Sequence, residues 1–174
     1  MTFLPPEAKE PKSKSNYTMP LSEGSHKIRV LSSAIVGYEG WSEVDGKKTP
    51  IRYKVGSEPA TDPLGKAPKY FWAFVVWNYE QERHQIMEVT QKSIRSGINA
   101  FVGNEAWGNP KGYDMVITRT GMKLEDTEYA VVANPHTEYA GLDAKVDLDV
   151  WFKGDDPFKT ERGDEVNEKD LPEF

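Results

Sequence analysis

The sequence predicts a mainly β domain that contains one helix. Three observations support this fold class: short segments alternate apolar and polar residues, one ten-residue segment (70–79) holds six aromatic side chains, and residues 91–104 carry apolar residues at helical spacing. The chain has 174 residues. This length is typical of one domain with tails, and it is large enough for a hydrophobic core.

The first two predicted strands lie in the N-terminal third of the chain. The first covers 27–31, where apolar and basic residues alternate, and continues as far as Trp41. An Asp-Gly turn dipeptide follows, and residues 51–55 alternate again. Residues 56–69 hold three Pro and two Gly, so we expect a loop there.

The aromatic segment 70–79 is the strongest predicted strand, and a short polar turn joins it to the next strand as a hairpin. The remaining elements follow in this order: a strand at 84–90, a helix at 91–104, and strands at 114–119 and 128–133. Residues 142–152 fit a strand and a helix face equally well, and the sequence does not decide between them.

The order of these elements resembles that of one small barrel. When 51–55 and 70–79 are counted as one interrupted strand, the order is strand, strand, strand, helix, strand, strand. This is the order of a five-stranded OB-fold barrel with one helix between strands 3 and 4, a fold that commonly binds oligonucleotides or oligosaccharides. Other small five-stranded barrels and α+β sheets stay open as alternatives.

Charge and composition divide the chain into three parts. Residues 1–24 are rich in Pro, Ser and Lys and predict a flexible arm, 25–153 form the domain, and 154–174 form a disordered acidic tail with eight acidic and three basic residues. The net charge is −6, but the window 47–119 holds eleven basic and seven acidic residues. A mildly basic body with an acidic tail is therefore expected.

The residue content argues against most enzyme classes. The chain has no Cys and three scattered His, and it lacks a Gly-rich phosphate loop, a GxSxG motif and an HExxH motif. We therefore expect a binding protein that is not an enzyme and holds no cofactor or metal. With no long apolar run and no signal-peptide pattern, a cytoplasmic location is expected.

The aromatic strand presents apolar side chains on both faces. Alternation places Trp72 and Phe74 on one face and Phe71, Val75 and Trp77 on the other. In a small barrel only one face of a strand points to the core. The other face is either covered by the helix or the C-terminal segment, or is offered to a ligand as a stacking platform.

Basic residues near this strand favour the platform. If the apolar residues of 51–55 are core, Arg52 and Lys54 point outward, and outward cations beside outward aromatics match what single-stranded nucleic acid requires. The candidate nucleic-acid-binding residues are Trp41, Arg52, Lys54, Trp72, Phe74, Arg83, Lys92 and Arg119, and Arg95 and Lys111 could extend the track.

Four sequence strings carry a resemblance to a known family. They are FWAFVVWNY (71–79), IMEVTQKSI (86–94), WGNPKGYDMVITRTG (107–121) and EYAVVANP (128–135). As a set they resemble the single-stranded DNA-binding proteins of tailed phages over roughly residues 25–158. The resemblance implies an OB-fold, no catalysis, and the coating of single strands in phage replication, recombination and repair. Some phage relatives hold a structural zinc in the barrel, and with no Cys this chain is expected to lack it.

The C-terminus is similar to that of bacterial relatives, which end in an acidic tail closing with Pro-Phe that docks replication and repair enzymes. The resemblance implies that Asp170, Leu171, Pro172 and Phe174 bind such partners, although here Glu173 stands between Pro172 and Phe174. Two other functions stay open: a virion assembly module that uses the aromatic face as a protein interface, and a metal-dependent nuclease, for which no carboxylate cluster on strands is evident.

Overall fold

The computed structural model describes Phe3 and residues 17–121, 123–141 and 146–158. Seven antiparallel strands dominate these residues, which confirms the prediction of a mainly β protein. The strands are β1 (Gly24–Val30), β2 (Ile35–Val44), β3 (Lys47–Lys54), β4 (Lys69–Asn78), β5 (Arg83–Val89), β6 (Asp114–Thr120) and β7 (Glu128–Ala133). The helices are α1 (Lys92–Val102) and two short 3-10 helices, Pro110–Gly112 and Leu148–Lys153.

The strands form one sheet with β4 at its centre. Along one edge of β4, β2 pairs with residues 69–73 and β1 with residues 76–78, while β5 pairs with the other edge. The sheet order is β3-β2-β4-β1-β6-β7, and β3 and β7 do not pair with each other in the part of the chain that the structure describes. The sheet is therefore open, and the closed five-stranded barrel is not confirmed.

The segments 51–55 and 70–79 belong to two separate strands. β3 and β4 lie on opposite edges of β2, because the loop between them carries the chain across that strand. Asp62 holds this loop: its buried carboxylate accepts hydrogen bonds from the backbone N–H groups of Trp41, Leu64 and Lys66 at 2.9–3.0 Å. These bonds, with the one from Lys66 the strongest, keep the pKa of Asp62 below its ordinary value. The interrupted-strand interpretation was wrong.

A first hydrophobic core lies between the sheet and α1, on the side that we call the helix face. Ile94 and Ile98 of α1 pack in this core with Phe74 of β4, which is 3% exposed. The helix approaches β7 closely at Gly97, where an added Cβ would lie 2.8 Å from a Val131 methyl carbon. A larger side chain at position 97 would push α1 away from β7, so Gly97 allows the helix to pack closely on the sheet.

A second core covers the other side of the sheet, which we call the C-terminal face. Phe71, Ala73 and Val75 of β4 pack there with Trp151, which is fully buried, and with Phe158. Trp151 lies in the 3-10 helix Leu148–Lys153, so the undecided segment is neither strand nor α-helix over these residues, and 142–145 lie outside the described residues. The middle of β4 is thus covered on both faces.

Two segments that the sequence assigned to flexible tails pack on the sheet. Thr18 forms a parallel bridge with Ile86 of β5, and the neighbouring Met19 is 5% exposed. At the other end of the chain, Phe158 is 2% exposed within the second core. Packing on the sheet therefore includes Met19 and Phe158, because each buries an apolar side chain in one of the two cores.

Candidate nucleic-acid interface

Three tyrosines form a row across β3, β2 and β4 on the helix face. Tyr53 pairs in register with Tyr38, and Tyr38 pairs with Tyr70. Residues that pair across antiparallel strands point to the same face, so the three side chains are neighbours. The ring centroids of Tyr38 and Tyr70 are 5.5 Å apart. Tyr70 is 37% exposed and the other two are half-buried, so this tyrosine row is open to solvent.

Trp72 continues the tyrosine row towards α1. Its indole Nε1 donates a hydrogen bond to the Tyr70 hydroxyl at 3.2 Å, and its ring is half-buried against the first core. Trp72 also lines a cleft of about 250 Å³ between α1, the β1–β2 loop and the segment that follows α1. Asn99, Asn109 and Lys111 supply polar groups in this cleft. The row therefore ends in a partly apolar cleft with hydrogen-bonding groups at its rim.

Basic side chains from α1 lie over the same surface. The guanidinium carbon of Arg95 is 4.7 Å from the centroid of the Tyr70 ring, a cation–π arrangement. The Nη1 atom of Arg95 is buried and has no hydrogen-bond partner within the described residues. Lys92 is exposed one turn earlier on the helix, and Lys111 is exposed at the cleft. A cationic group with an unused donor thus stands beside an exposed aromatic ring.

Arg52, the first basic residue predicted to point outward, is buried instead. Its side chain is 7% exposed, with Nε 3.7 Å from a Glu39 carboxyl oxygen and 3.5 Å from one of Glu88. Its guanidinium carbon lies 3.8 Å from the centroid of the Trp151 ring, and its Nη1 donates to the Trp151 carbonyl at 3.4 Å. The prediction was wrong because β3 turns this side chain to the C-terminal face, which the C-terminal segment covers.

Arg52, Glu39 and Glu88 form a buried cluster in which the carboxyl group of Glu39 has an unusual pKa. Burial, followed by the hydrogen bond and the charge of Glu88, raises the pKa of Glu39 from 4.5 to about 8, against the opposing effect of Arg52. Glu39 is therefore mainly protonated at neutral pH, so the cluster does not carry two full negative charges. The cluster attaches β3 to the C-terminal segment, and Arg52 is buried within it and away from the solvent.

Phe74 was also expected on an open platform, and the structure places it in the first core. It shares the helix face with Trp72, as the alternation predicted, but α1 covers it. Lys54 is exposed as predicted, although its Nζ lies 5.7 Å from the Phe152 ring on the C-terminal face, away from the tyrosine row. The predicted group of aromatics and cations on one face is therefore divided between two faces.

The other predicted residues lie at separate places on the sheet. Trp41 is 38% exposed on the C-terminal face near the β2–β3 turn. Arg83 pairs with Asn78 at the far end of β4, and Arg119 of β6 donates a hydrogen bond to the Leu21 carbonyl at 2.9 Å. Of the eight candidate residues, the structure places Trp72 beside the tyrosine row, and the two residues that could extend the track also lie there: Arg95 over Tyr70 and Lys111 at the cleft. Asp170, Leu171, Pro172 and Phe174 lie outside the described residues.

Sequence reasoning missed two members of the row. Tyr53 was counted among the core residues of its strand, and Tyr38 lies where the first predicted strand was extended without an assigned face. The alternation of β2 and β3 could have grouped these side chains, but only if the register of the hairpin had been known.

The comparisons with known proteins add no family: no protein family matches the chain, and no curated protein sequence matches it. The part of the chain that the structure describes has no helix of the length and apolarity that a membrane crossing needs. Across the same residues, no three His, Asp or Glu side chains are grouped in a way that could hold a metal ion.

Proposed function

We propose that this protein binds single-stranded DNA without sequence specificity and coats it during phage DNA replication, recombination and repair. The observation that carries the proposal is the solvent-open tyrosine row with Trp72 at its end and Arg95 beside it. We further propose that the sheet is a divergent OB-fold, in which the open edges replace the closure of a five-stranded barrel.

The chemistry of the row fits unpaired bases. Each base has a π-face that stacks on an aromatic ring whatever its sequence, and such a contact is worth about 1–3 kcal/mol by alanine substitution. Duplex DNA hides these faces within its own stack, so a flat aromatic row favours the single strand. Arg95 lies over Tyr70, and Lys111 lines the cleft beside Trp72. These cations, with Lys92 one turn earlier on α1, would neutralise phosphates as the strand passes.

The acidic C-terminal residues supply a second part of the proposal. Residues 154–174 hold eight acidic and three basic residues, and we propose that the end of this segment, through Asp170, Leu171, Pro172 and Phe174, docks replication or recombination proteins. Coated single strands would then be brought to these enzymes in the host cytoplasm. Deletion of Phe174 should abolish capture of such a partner and leave DNA binding unchanged.

The experiment for the DNA-binding proposal is a fluorescence titration of the full chain with oligo-dT at several salt concentrations. Five Trp make quenching a sensitive readout. We expect saturable binding in which log K falls linearly with log salt, by about 0.7 per phosphate contact. Tyr70→Ala should weaken binding by about 1–3 kcal/mol, whereas Tyr70→Phe should retain most of the affinity.

Three results would contradict this function or its place on the tyrosine row. A protein that does not bind oligo-dT at low salt is not a single-stranded DNA-binding protein. Binding that does not change with salt, or that Tyr70→Ala leaves unchanged, would mean that the tyrosine row serves another purpose, such as a protein interface in an assembly.

A further inference from the structure

A second surface that combines an aromatic ring with basic residues lies on the C-terminal face. Trp41 is 38% exposed there and lines a cleft of about 260 Å³. Lys48, Lys66 and Lys69, all exposed, line the same cleft. It shares no residue with the tyrosine row or with the cleft beside Trp72, so it is a separate site.

The fold builds this cleft at the point where β2 extends beyond β4. β4 starts at Lys69, which pairs with Glu39, so on the edge of β2 opposite β3 the next residues have the 62–67 loop beside them instead of a strand. Gly40 permits this contact, because an added Cβ would lie 2.7 Å from the Asp62 Cβ. Asp62 then accepts a hydrogen bond from the Trp41 backbone N–H, which fixes the loop against the strand.

The charges around the cleft leave it positive. The Asp62 carboxylate is buried and already accepts three backbone hydrogen bonds, and the raised pKa of Glu39 keeps that carboxyl group mainly protonated. The three lysines form no ion pair within the described residues, and Glu43, which pairs in register with Lys48, does not line the cleft. An exposed indole among unpaired lysines suits a ligand with a flat ring and phosphates.

We propose that this Trp41 cleft is a second subsite for the same single strand, which passes around the 62–67 loop after leaving the tyrosine row. The inference rests on the proposed function. The two sites lie at the same end of the sheet and on opposite faces: Tyr38 precedes Glu39 in β2, and Lys69 precedes Tyr70 in β4. In the cleft one base stacks on Trp41, and the lysines hold the phosphates on either side of it.

Oligonucleotide length separates the two subsites. Single-stranded DNA-binding folds cover roughly 4–16 nucleotides, so an oligo-dT of about 4 nucleotides occupies the tyrosine row alone and one of about 16 reaches both subsites. We expect Trp41→Ala to weaken binding of the long oligonucleotide roughly 5- to 150-fold and to leave the short one unchanged. Trp41→Phe should restore most of the loss, which a purely structural role would not require.

The part of the lysines is tested by the salt dependence of binding. The double variant Lys66→Ala/Lys69→Ala should reduce the salt slope for the long oligonucleotide by about 1.4, which is two contacts of about 0.7 each, and leave the slope for the short one unchanged. Lys123→Ala, an equally exposed lysine in the β6–β7 turn, is the matched control and should change neither slope. Circular dichroism and thermal melting establish that each variant is folded before binding is measured.

Each outcome decides between the two proposals. If Trp41→Ala weakens both lengths equally or neither, the second subsite is wrong, while a loss with Tyr70→Ala at both lengths still supports the tyrosine row. If Tyr70→Ala changes nothing and Trp41→Ala weakens both lengths, the main interface lies on the C-terminal face. That result overturns the proposed path of the strand, although the protein still binds DNA.

Discussion

The start and the middle of β4 are both rich in apolar side chains but have different surroundings. At residues 73–76 the strand is buried on both faces, by α1 and its core on one side and by Trp151 and Phe158 on the other. At Tyr70 and Trp72 only the C-terminal face is closed, and the helix face opens to solvent. The difference shows that the neighbouring elements, and not the alternation of the strand itself, decide whether an aromatic side chain serves the core or a surface.

Two arginines repeat this contrast. Arg52 and Arg95 each lie over an aromatic ring, at 3.8 Å and 4.7 Å from the ring centroid. Arg52 is enclosed with two carboxyl groups under the C-terminal segment, whereas Arg95 stands at the open edge of the tyrosine row. The same pair of residue types therefore stabilises the fold in one place and leaves a surface for anions in the other.

The largest expected effect separates the middle of β4 from its start. Phe74→Ala should lower the free energy of unfolding by about 3–5 kcal/mol, because it leaves a cavity between β4 and α1. Tyr70→Ala, on the same face four residues earlier, should cost far less because the ring is already partly exposed. Urea denaturation followed by circular dichroism measures both. Equal losses would mean that the tyrosine row belongs to the core.

Removal of Arg52 tests whether it is structural. Arg52→Ala should lower the free energy of unfolding by about 3–5 kcal/mol, since it leaves Glu39 and Glu88 buried without their cationic partner. The variant should keep the salt slope of oligo-dT binding under conditions where it is folded. Lys54→Ala, two residues further on the same face, is the control and should leave stability unchanged. A stable Arg52→Ala protein whose oligo-dT binding depends less on salt would mean that Arg52 contacts the DNA.

The two tryptophans of β4 test which face binds DNA. Trp72 and Trp77 are both half-buried and lie on opposite faces of one strand. Trp72→Ala should weaken oligo-dT binding by about 1–3 kcal/mol, and Trp77→Ala should leave the affinity unchanged. Fluorescence anisotropy with a labelled oligonucleotide measures both without relying on the deleted indole. The reverse result would move the interface to the C-terminal face.

The buried Glu39 predicts a pH dependence of stability. Because its pKa is raised to about 8 in the folded protein, the folded state keeps a proton that the unfolded chain releases above about pH 4.5. The free energy of unfolding should therefore fall as pH rises from about 4.5 to 8, by at most about 1.4 kcal/mol per pH unit, and then level off. Glu39→Gln should flatten this fall, and Glu43→Gln, on the same strand but exposed, should not. Urea denaturation at pH 5, 6, 7 and 8 measures the stability of each protein. If Glu39→Gln leaves the fall in stability with pH unchanged, Glu39 is not its cause.

The smallest effect concerns Arg95. Arg95→Ala should reduce the salt slope of oligo-dT binding by about 0.7, one phosphate contact, with a modest loss of affinity and little loss of stability. Arg83→Ala, at the opposite end of β4, should leave the slope unchanged. If the two variants behave alike, the cations near the tyrosine row have no special part in binding.

Local pattern was enough to predict the helix and most strands. Ile94 and Ile98 are four residues apart and both face the core, and β4 and β5 form the expected hairpin. The strand count was wrong at two places. The first predicted strand, continued to Trp41, is two strands, β1 and β2. The chain then crosses β2 through the loop that Asp62 holds, which is a contact between distant residues. The pattern alone could not place Arg52, Phe74 or Phe158 either. Their exposure depends on where α1 and the C-terminal segment pack, and alternation within a strand carries no information on that.

Cross-linking of bound DNA to the protein tests the central claim most directly. Oligo-dT in which 5-bromodeoxyuridine replaces thymidine is bound at low salt and irradiated, and mass spectrometry identifies the modified residues. The account predicts adducts at Tyr38, Tyr70 and Trp72, lost together when salt releases the DNA. Adducts confined to Trp77 on the C-terminal face, with none on the tyrosine row, would contradict it.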